Sequence, residues 1–322
     1  MKKILIISSN RLGDAILSSG INHYYKSLYQ KSRLTFVCGE VPAEIFKKCQ
    51  NIDKVLPLKK KKYSLHWFFL WIKIFFICWD HIVDLRGTAI SYFLITKNRK
   101  IFTKKINNKK VHKIVNYSKL IGDLVLEPKV KLMTESKSKK KFLIKILKLK
   151  TQHSLFAIST STNWIGKQWP ASRFRELISR LRKQSFFSKF KFILLGSKNE
   201  MENNYNISKE FSKSDVLNLA GIINLEEVFL IIKECKYFLG NDSGLMHLSA
   251  LAGIPTIGLF GPSDKNQYGP WCKKNKIIST VETPDELMGN KNFSHKKTGT
   301  LMTSLSVNKV EREILKFCEK FK

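Results

Sequence analysis

Short apolar runs alternate with stretches of helical spacing along both halves of the chain. Apolar runs bounded by polar or glycine-containing segments predict buried strands. They lie at residues 4–8, 34–38, 54–57, 81–84 and around Ile101 in the first half, and at 156–159, 191–195, 216–219, 237–239 and 256–260 in the second. Residues 171–183 and 307–321 have the spacing of amphipathic helices. This alternation is typical of parallel α/β sheets.

The length of 322 residues exceeds what a single hydrophobic core usually organises, so two domains are expected. Each half carries its own series of predicted strands and helices. The boundary is expected near residue 150, with residues 138–150 forming a basic helix at the junction.

The segment from Gly240 to Pro262 predicts a strand, a glycine turn, a helix of small residues and a second strand. Such a turn lies at the carboxyl end of a parallel strand, where the free amides that open the helix suit a phosphate. Ser243 adds a hydroxyl group beside those amides, and Asp242 and His247 are expected to face the same crevice. The alternative is that Asp242 caps the helix and His247 packs beneath the loop.

Two other predicted turns carry candidate residues. The strand at residues 3–7 leads to a helix that opens with Asp14, whose carboxylate is able to accept a proton or simply to stabilise the helix dipole. The strand at 155–158 leads to a hydroxyl-rich loop in which Lys167 precedes Trp169 and Pro170. An ammonium group with nearby hydroxyls suits a diphosphate, and a solvated surface charge is the alternative for this lysine.

Five segments resemble motifs of the lipopolysaccharide heptosyltransferases, glycosyltransferase family 9. Residues 242–263 are similar to the signature Asp-Ser/Thr-Gly-x-x-His-x-x-x-x-x-Gly-x-Pro with its following Gly-Pro-Thr/Ser, and residues 10–17 to the Arg-x-Gly-Asp-x-x-Leu element. Residues 159–170 resemble the hydroxyl-rich loop that ends in Lys-x-Trp-Pro. Residues 79–87 resemble Tyr/Trp-Asp-x-x-x-Asp-Leu-x-Gly, and residues 219–228 resemble the Leu-x-Gly-x-x-x-Leu-x-Glu/Gln stretch.

The resemblance implies a GT-B fold, in which two Rossmann-like parallel α/β domains face a central cleft. Residues 1–150 would bind the acceptor and residues 151–305 the nucleotide sugar, while a helix at 306–322 would pack back on the first domain. Asp14 would be the general base. The donor-binding residues would be Thr160, Ser161, Thr162, Lys167, Glu226, Asp242, Ser243, Gly244, Leu245 and His247.

Two assignments from the resemblance have a close rival or a departure from the family pattern. Glu226 is the candidate for the ribose hydroxyls, with Glu227 its rival and a helix-start glutamate the alternative. Arg11 and Arg86 are assigned to the acceptor. Arg86 stands where the family often carries glutamine, and an arginine there suits an acidic acceptor sugar.

These implications predict an inverting glycosyltransferase that moves heptose from ADP-L-glycero-β-D-manno-heptose to the Kdo/heptose inner core of lipopolysaccharide in one displacement. No metal and no cofactor are expected, since no Asp-x-Asp pair is present. One alternative is a glycosyltransferase that uses another nucleotide sugar in core or surface-glycan synthesis. Another is a basic membrane- or nucleic-acid-binding protein without catalysis.

The net charge of +33 requires anionic partners. Residues 85–122 contain no Asp or Glu, whereas lysines and arginines accumulate there. The candidates are nucleic acid, an anionic membrane, or the acidic sugars and phosphates of a Kdo-lipid A acceptor. No nucleic-acid reader motif is found, so nucleic acid is not expected as a partner.

Residues 63–78 are strongly apolar and aromatic and follow a run of four lysines at 59–62. The stretch is shorter than the roughly 20 residues that a spanning helix needs. It predicts an interfacial helix on the inner leaflet, and burial in the first domain is the alternative. We expect a cytoplasmic protein that is peripheral on the inner membrane, with no cleaved signal peptide. The six cysteines lack a Cys-x-x-Cys pair, so neither zinc nor a disulfide framework is indicated.

Overall fold

The computed structural model describes residues 1–122, 124–132, 142, 145, 148–150, 152–289 and 293–321. The chain divides into two compact units, Met1–Thr134 and Glu135–Lys322. Most of the basic helix expected at 138–150 lies outside the described residues. The domain boundary near residue 150 therefore stays a prediction.

The first unit is a parallel sheet with helices between its strands. The strands, in the spatial order β3-β2-β1-β4-β5, are β1 Lys3–Ile7, β2 Arg33–Gly39, β3 Lys54–Leu58, β4 Trp79–Asp84 and β5 Thr96–Ile101. The helices are α1 Leu12–Leu17, α2 Ser19–Leu28, α3 Glu40–Phe46, α4 Leu65–Ile74 and α5 Lys113–Lys119. The central strand β1 is apolar at consecutive positions because both of its faces are covered, and Ile4 to Ile7 are fully buried.

The second unit repeats this architecture with the strand order β11-β10-β9-β6-β7-β8, all neighbours parallel. Its strands are β6 Ser154–Ser159, β7 Phe190–Leu195, β8 Val216–Asn218, β9 Tyr237–Asn241, β10 Thr256–Phe260 and β11 Asn275–Ser279. Its helices are α6 Ala171–Lys183, α7 Met201–Ser208, α8 Leu225–Glu234, α9 Gly244–Ala252, α10 Lys265–Tyr268, α11 Pro284–Met288 and α12 Val307–Glu319. This is the strand order of dinucleotide-binding domains.

The core of the second unit explains the spacing of its two longest helices. Phe174, Leu177, Ile178 and Leu181 of α6 are fully buried at intervals of three and four residues. The apolar face of α12 joins the same core. A packing of α12 on the first unit stays a prediction.

Two of the differences from the predicted strands lie in the second unit. The strand that leads to the glycine turn does not end at Leu239 but continues through Gly240 and Asn241, because Gly240 pairs with Gly258 on one side and Ser159 on the other. Strand β11 was not predicted, since its five residues hold only two apolar side chains, Ile277 and Ile278.

Candidate functional site

Both units place their candidate residues at the point where the strand order reverses. In the first unit the helix α1 after β1 carries Asp14 and the loop after β4 carries Arg86, and these two strands are neighbours. In the second unit the loops after β6 and β9 carry Lys167 and Asp242, and these strands are also neighbours. A parallel sheet opens a crevice at this position because the connections leave to opposite sides.

Asp242 joins two of the predicted donor-binding residues of the second unit. Lys167 Nζ donates a hydrogen bond to Asp242 Oδ2 at 2.6 Å, and His247 Nε2 lies 3.8 Å from Asp242 Oδ1. Asp242 and His247 are both buried, whereas Lys167 is partly exposed. Asp242 and His247 thus lie side by side. Ser243, not Asp242, occupies the cap position of the following helix, so the alternative in which Asp242 caps that helix is wrong. That both side chains face a ligand crevice stays a prediction.

The charge of Asp242 follows from its surroundings. Burial alone raises the pKa of this carboxyl, whereas the charges of the Lys167 ammonium and the His247 imidazole lower it. Together with the hydrogen bonds from Lys167 and Ser263 they outweigh burial, so the pKa lies below its ordinary value. Asp242 is therefore ionised at neutral pH and holds the lysine ammonium at the mouth of the β9–α9 turn.

The start of α9 offers hydrogen-bond donors beside that ion pair. Ser243 has an extended backbone at the cap position and its side chain makes no capping bond. Its Oγ is buried and has no hydrogen-bond partner within the described part of the chain. The first amides of a helix have no intrahelical acceptor. Gly244 and Leu245, the first two residues of α9, contribute such amides, and together with Ser243 Oγ they suit a phosphate.

The hydroxyl-rich loop after β6 is held by side chains of α7. Asn203 Nδ2 donates to Thr160 Oγ1 at 3.1 Å and to Ser161 Oγ at 3.3 Å, and Thr160 Oγ1 donates to the buried amide oxygen of Asn204. Thr162 Oγ1 donates instead to the carbonyl of Trp164 at 2.5 Å. Each of these predicted phosphate ligands is thus fixed in position by the protein itself.

Asn241 is a structural link that the sequence analysis did not identify. Its fully buried amide donates through Nδ2 to the carbonyl of Thr160 at 2.8 Å and accepts through Oδ1 from the backbone N–H of Trp169 at 3.0 Å. It therefore ties the end of β9 to both ends of the loop that carries Lys167. The only sequence feature that could have pointed to Asn241 is that it directly precedes Asp242.

The segment from Cys272 to Ser304, in which no motif was found, and the adjacent Leu305 also support this loop. Thr300 Oγ1 donates to the carbonyl of Gln168, and the N–H of Leu301 donates to the carbonyl of Gly166. The indole N–H of Trp169 donates to the carbonyl of Leu305 at 2.7 Å, which explains why a large aromatic residue follows the lysine. Sequence alone gave no signal for these contacts because more than 100 residues separate the partners.

The structure gives one of the two glutamates considered for the ribose a local structural role. Glu227 forms a capping box with Asn224: its N–H donates to Asn224 Oδ1, and its carboxylate accepts from the N–H of Asn224, both at 3.0 Å. The carboxylate of Glu227 thus stabilises the start of α8. The assignment of Glu226 to the ribose stays a prediction.

In the first unit, Asp14 lies in the first turn of α1 and accepts a hydrogen bond from Ser9 Oγ at 3.3 Å. Arg11 is exposed at the cap position of the same helix. The amide of Asn10, which the sequence analysis did not assign, is buried without a hydrogen-bond partner among the residues described. A buried amide of this kind is costly unless a ligand or water satisfies it.

The loop that carries Arg86 is organised by the buried carboxylate of Asp84. This carboxylate accepts from the N–H groups of Arg86 and Thr88 at 2.8 and 2.7 Å, and also from the hydroxyls of Thr88 and Ser91. The guanidinium of Arg86 lies over the ring of Trp67, with 5.0 Å between Cζ and the ring centroid. Asp84 therefore fixes the loop that carries Arg86.

Lys113 is a second cation near Asp14, and it was not assigned from sequence. It opens α5, donates to Asn107 Oδ1 at 3.1 Å and lies over the rings of Phe102 and Tyr117. Desolvation lowers the pKa of Lys113 and that of Arg86, and the charge of Asp14 opposes the shift at both. The first unit thus gathers a carboxylate and two cations, a combination that suits an acidic ligand with a hydroxyl to deprotonate.

Together these features define the class of protein to which the chain belongs. A doubly wound parallel sheet presents helix amides, a buried hydroxyl and a held lysine at its switch point, which is an arrangement for a phosphorylated ligand such as a nucleotide. A second sheet of the same kind carries a carboxylate with neighbouring cations. These features are typical of an enzyme that binds a phosphorylated ligand.

Comparisons with known proteins identify the family. The profile of "Glycosyltransferase family 9 (heptosyltransferase)" matches residues 77–296, more than half of the chain. The chain belongs to this family of glycosyltransferases, and the resemblance noted from the motifs is confirmed.

Individual relatives agree with this assignment. The lipopolysaccharide heptosyltransferase 2 of Salmonella typhimurium is 30% identical over 119 residues, which cover 36% of this chain and 33% of that protein. This alignment thus spans about a third of that relative's length. The lipooligosaccharide heptosyltransferase 2 of Campylobacter jejuni serotype O:6 is 25% identical over 286 residues, which cover 85% of this chain and 86% of that protein.

A solved structure supports the fold. The E. coli ADP-heptose lps heptosyltransferase II superposes with a TM-score of 0.74 at 18% identity, covering 99% of each chain. The expected GT-B class, with two parallel α/β domains, is confirmed.

Proposed function

We propose that this protein is an inverting heptosyltransferase that transfers heptose from ADP-L-glycero-β-D-manno-heptose to the Kdo/heptose inner core of lipopolysaccharide. The observation that carries the proposal is the buried Asp242 that holds Lys167 and directly precedes Ser243 at the start of α9, whose buried hydroxyl has no hydrogen-bond partner among the described residues. Its support from relatives is that several are named heptosyltransferases and one is named for ADP-heptose.

The donor would bind in the second unit. Its diphosphate accepts hydrogen bonds from the amides of Gly244 and Leu245, from Ser243 Oγ and from the ammonium of Lys167. The hydroxyls of Thr160 and Ser161 line the same switch point, and Glu226 is assigned to the ribose. These groups stabilise the negative charge that develops on ADP as it leaves, which is where electrostatic catalysis contributes most.

The reaction is a single displacement at the anomeric carbon. An acceptor hydroxyl oxygen forms the new bond to that carbon as the bond to the β-phosphate oxygen breaks, and the configuration inverts. The hydroxyl proton passes to the carboxylate of Asp14, and ADP departs with the bonding electron pair. Ser9, which donates to Asp14, orients this carboxylate.

The acceptor would be an acidic, lipid-linked saccharide of the Kdo-lipid A type, bound by Arg11 and Arg86 with Lys113 as an additional cation. Anionic carboxylates and phosphates of such an acceptor match the acid-free segment 85–122. A lipid-linked acceptor would place the protein on the cytoplasmic face of the inner membrane. In the described part of the chain, no helix has the length and apolarity needed to cross a bilayer.

Transfer assays with purified protein and Kdo-lipid A test the proposal. ADP-heptose, ADP-glucose and UDP-glucose are supplied separately, and nucleotide release is measured with and without acceptor. Release that requires both ADP-heptose and acceptor is the expected result. Acceptor-dependent release only with another donor would replace the heptose, and no release with any of the three would contradict the proposal.

A further inference from the structure

Helix α4 of the first unit exposes a continuous apolar stripe. Leu65, Phe68, Phe69, Ile72 and Phe76 recur at intervals of three and four residues, which places them on one side of the helix and of the turn that follows it. Each is between 45% and 86% exposed. An ordinary surface helix carries polar residues on this side, so the stripe indicates a partner that the described residues do not provide.

The orientation of this stripe is fixed by the opposite side of α4. Leu70 and Ile74 are buried in a cluster that includes Leu5 and Ile82 of the sheet. The indole N–H of Trp71 also reaches the carbonyl of Phe93. Turning the helix to bury the exposed stripe would expose these buried residues, so the stripe stays at the surface.

The stripe has a rim of cations. Tyr63 and Ser64 both have positive φ, 52° and 56°, and this turn brings the preceding lysine run back over the helix. As a result the Lys61 ammonium lies 3.9 Å from the centroid of the Phe69 ring, and the backbone N–H of Lys61 donates to His66 Nδ1. Lys73, four residues after Phe69, is exposed on α4 itself. Residues 54–79 contain six lysines and no Asp or Glu.

We propose that this face of α4 docks on an anionic phospholipid bilayer, with the apolar stripe in the headgroup–acyl boundary and the lysines on the lipid phosphates. Charge complementarity selects this occupant: an apolar centre with a cationic rim matches a hydrocarbon surface under anionic headgroups. Lysine side chains keep their ammonium in water while their stems lie along apolar surface.

A second copy of the chain fits this face less well. A symmetric dimer places the same patch of both copies in contact, so Lys61 and Lys73 would oppose their own equivalents. The docking rests on the proposed function only because a lipid-linked acceptor lies in the membrane, where the enzyme must reach it.

Vesicle co-sedimentation tests the docking with the full chain and no substrate. Vesicles of phosphatidylglycerol with phosphatidylethanolamine are compared with phosphatidylcholine vesicles. The wild type is expected to bind the anionic vesicles. A triple variant, Phe69→Ser, Ile72→Ser and Phe76→Ser, is expected to bind them at least about tenfold more weakly. A variant with Lys59 to Lys62 changed to Gln is expected to bind the anionic vesicles at least about tenfold more weakly. Its binding should also lose most of its dependence on salt concentration.

Matched controls use residues of the same kind elsewhere. Val41→Ser, Tyr205→Ser and Val281→Ser replace three exposed apolar residues, and Lys183, Lys189, Lys213 and Lys273 changed to Gln remove four exposed lysines. Both control variants are expected to bind like the wild type. Thermal unfolding by circular dichroism checks that each variant folds.

Several results would overturn the docking. They are absent binding to anionic vesicles, equal losses in test and control variants, or a wild-type dimer in analytical ultracentrifugation that only the α4 variant dissociates. The last result would assign the face to a second copy. Transfer to a detergent-dispersed acceptor is measured separately. Vesicle binding without transfer refutes the proposed function and leaves the docking intact. Transfer without vesicle binding refutes the docking and leaves the proposed function intact.

Discussion

The ammonium of Lys167 lies 2.6 Å from Oδ2 of Asp242, although 75 residues separate them in sequence. Asp242 is buried at the end of β9, and Lys167 ends a short 3₁₀ turn in the loop after β6. The pair therefore spans the switch point of the second sheet. It holds one cation where the amides of α9 begin, so a diphosphate there meets a preorganised site.

Replacing Lys167 by Ala removes the only side-chain cation assigned to the donor. We expect kcat/KM for the nucleotide sugar to fall by about 100-fold or more, because the charge on the departing ADP loses its stabilisation. Initial rates over a range of donor concentrations measure this. Lys183→Ala, at the exposed end of α6, is the control and should match the wild type. Equal effects at both positions would refute the role of Lys167.

The depressed pKa of Asp242 predicts a pH-dependent contribution to stability. Because the folded-state pKa is below the unfolded value, the ionised carboxylate stabilises the fold above the unfolded pKa. That contribution is lost as the pH falls through the folded pKa. The difference in free energy of unfolding between wild type and Asp242→Asn should therefore be constant near neutrality and shrink below about pH 4. Urea unfolding of both proteins from pH 7 to 3 measures it, and a difference independent of pH contradicts the assignment.

Asn241 should matter for the shape of the site rather than for its charge. Asn241→Asp keeps the acceptor for the Trp169 N–H but loses the donor to the Thr160 carbonyl and places a carboxylate beside it. We expect a loss of about 1–3 kcal/mol in the free energy of unfolding. We also expect weaker donor binding in isothermal titration calorimetry. Asn206→Asp, at an exposed position, should change neither quantity.

The central strands and the motif loops were predictable because their signals are local. Strand β1 reads as a continuous apolar run since it is covered on both faces, and α6 has the predicted bounds because its buried residues recur with helical spacing. The residues around Asp242 could be grouped from one contiguous segment.

The edges of the sheets and the supports of the site were not predictable in the same way. An edge strand needs less apolar sequence, so β5, with the sequence TKNRKI, was placed only around Ile101 and β11 was missed. The Asn241 bridge and the contacts of Thr300 and Leu305 join distant segments. The local sequence pattern does not predict such contacts, because they depend on which strands are neighbours in the folded sheet.

The two cations near Asp14 predict a selective effect on the acceptor. Arg86→Gln and Lys113→Gln should each raise KM for Kdo-lipid A by about tenfold, since each removes one charge-assisted contact, and leave the donor dissociation constant unchanged. Steady-state kinetics with varied acceptor and calorimetric titration with the donor separate the two effects. Lys119→Gln, exposed at the other end of α5, is the control. A weakened donor affinity would show that these cations do not serve the acceptor.

The central claim is most directly tested by the product formed from ADP-heptose and Kdo-lipid A with wild-type protein and with Asp14→Asn, using mass spectrometry and NMR of the anomeric centre. We predict that the wild type adds one heptose with an α-anomeric linkage, inverted from the β-linked donor. Asp14→Asn should bind the donor normally but turn over at least about 100-fold more slowly. A β-linked product, or full activity in Asp14→Asn, would contradict this account.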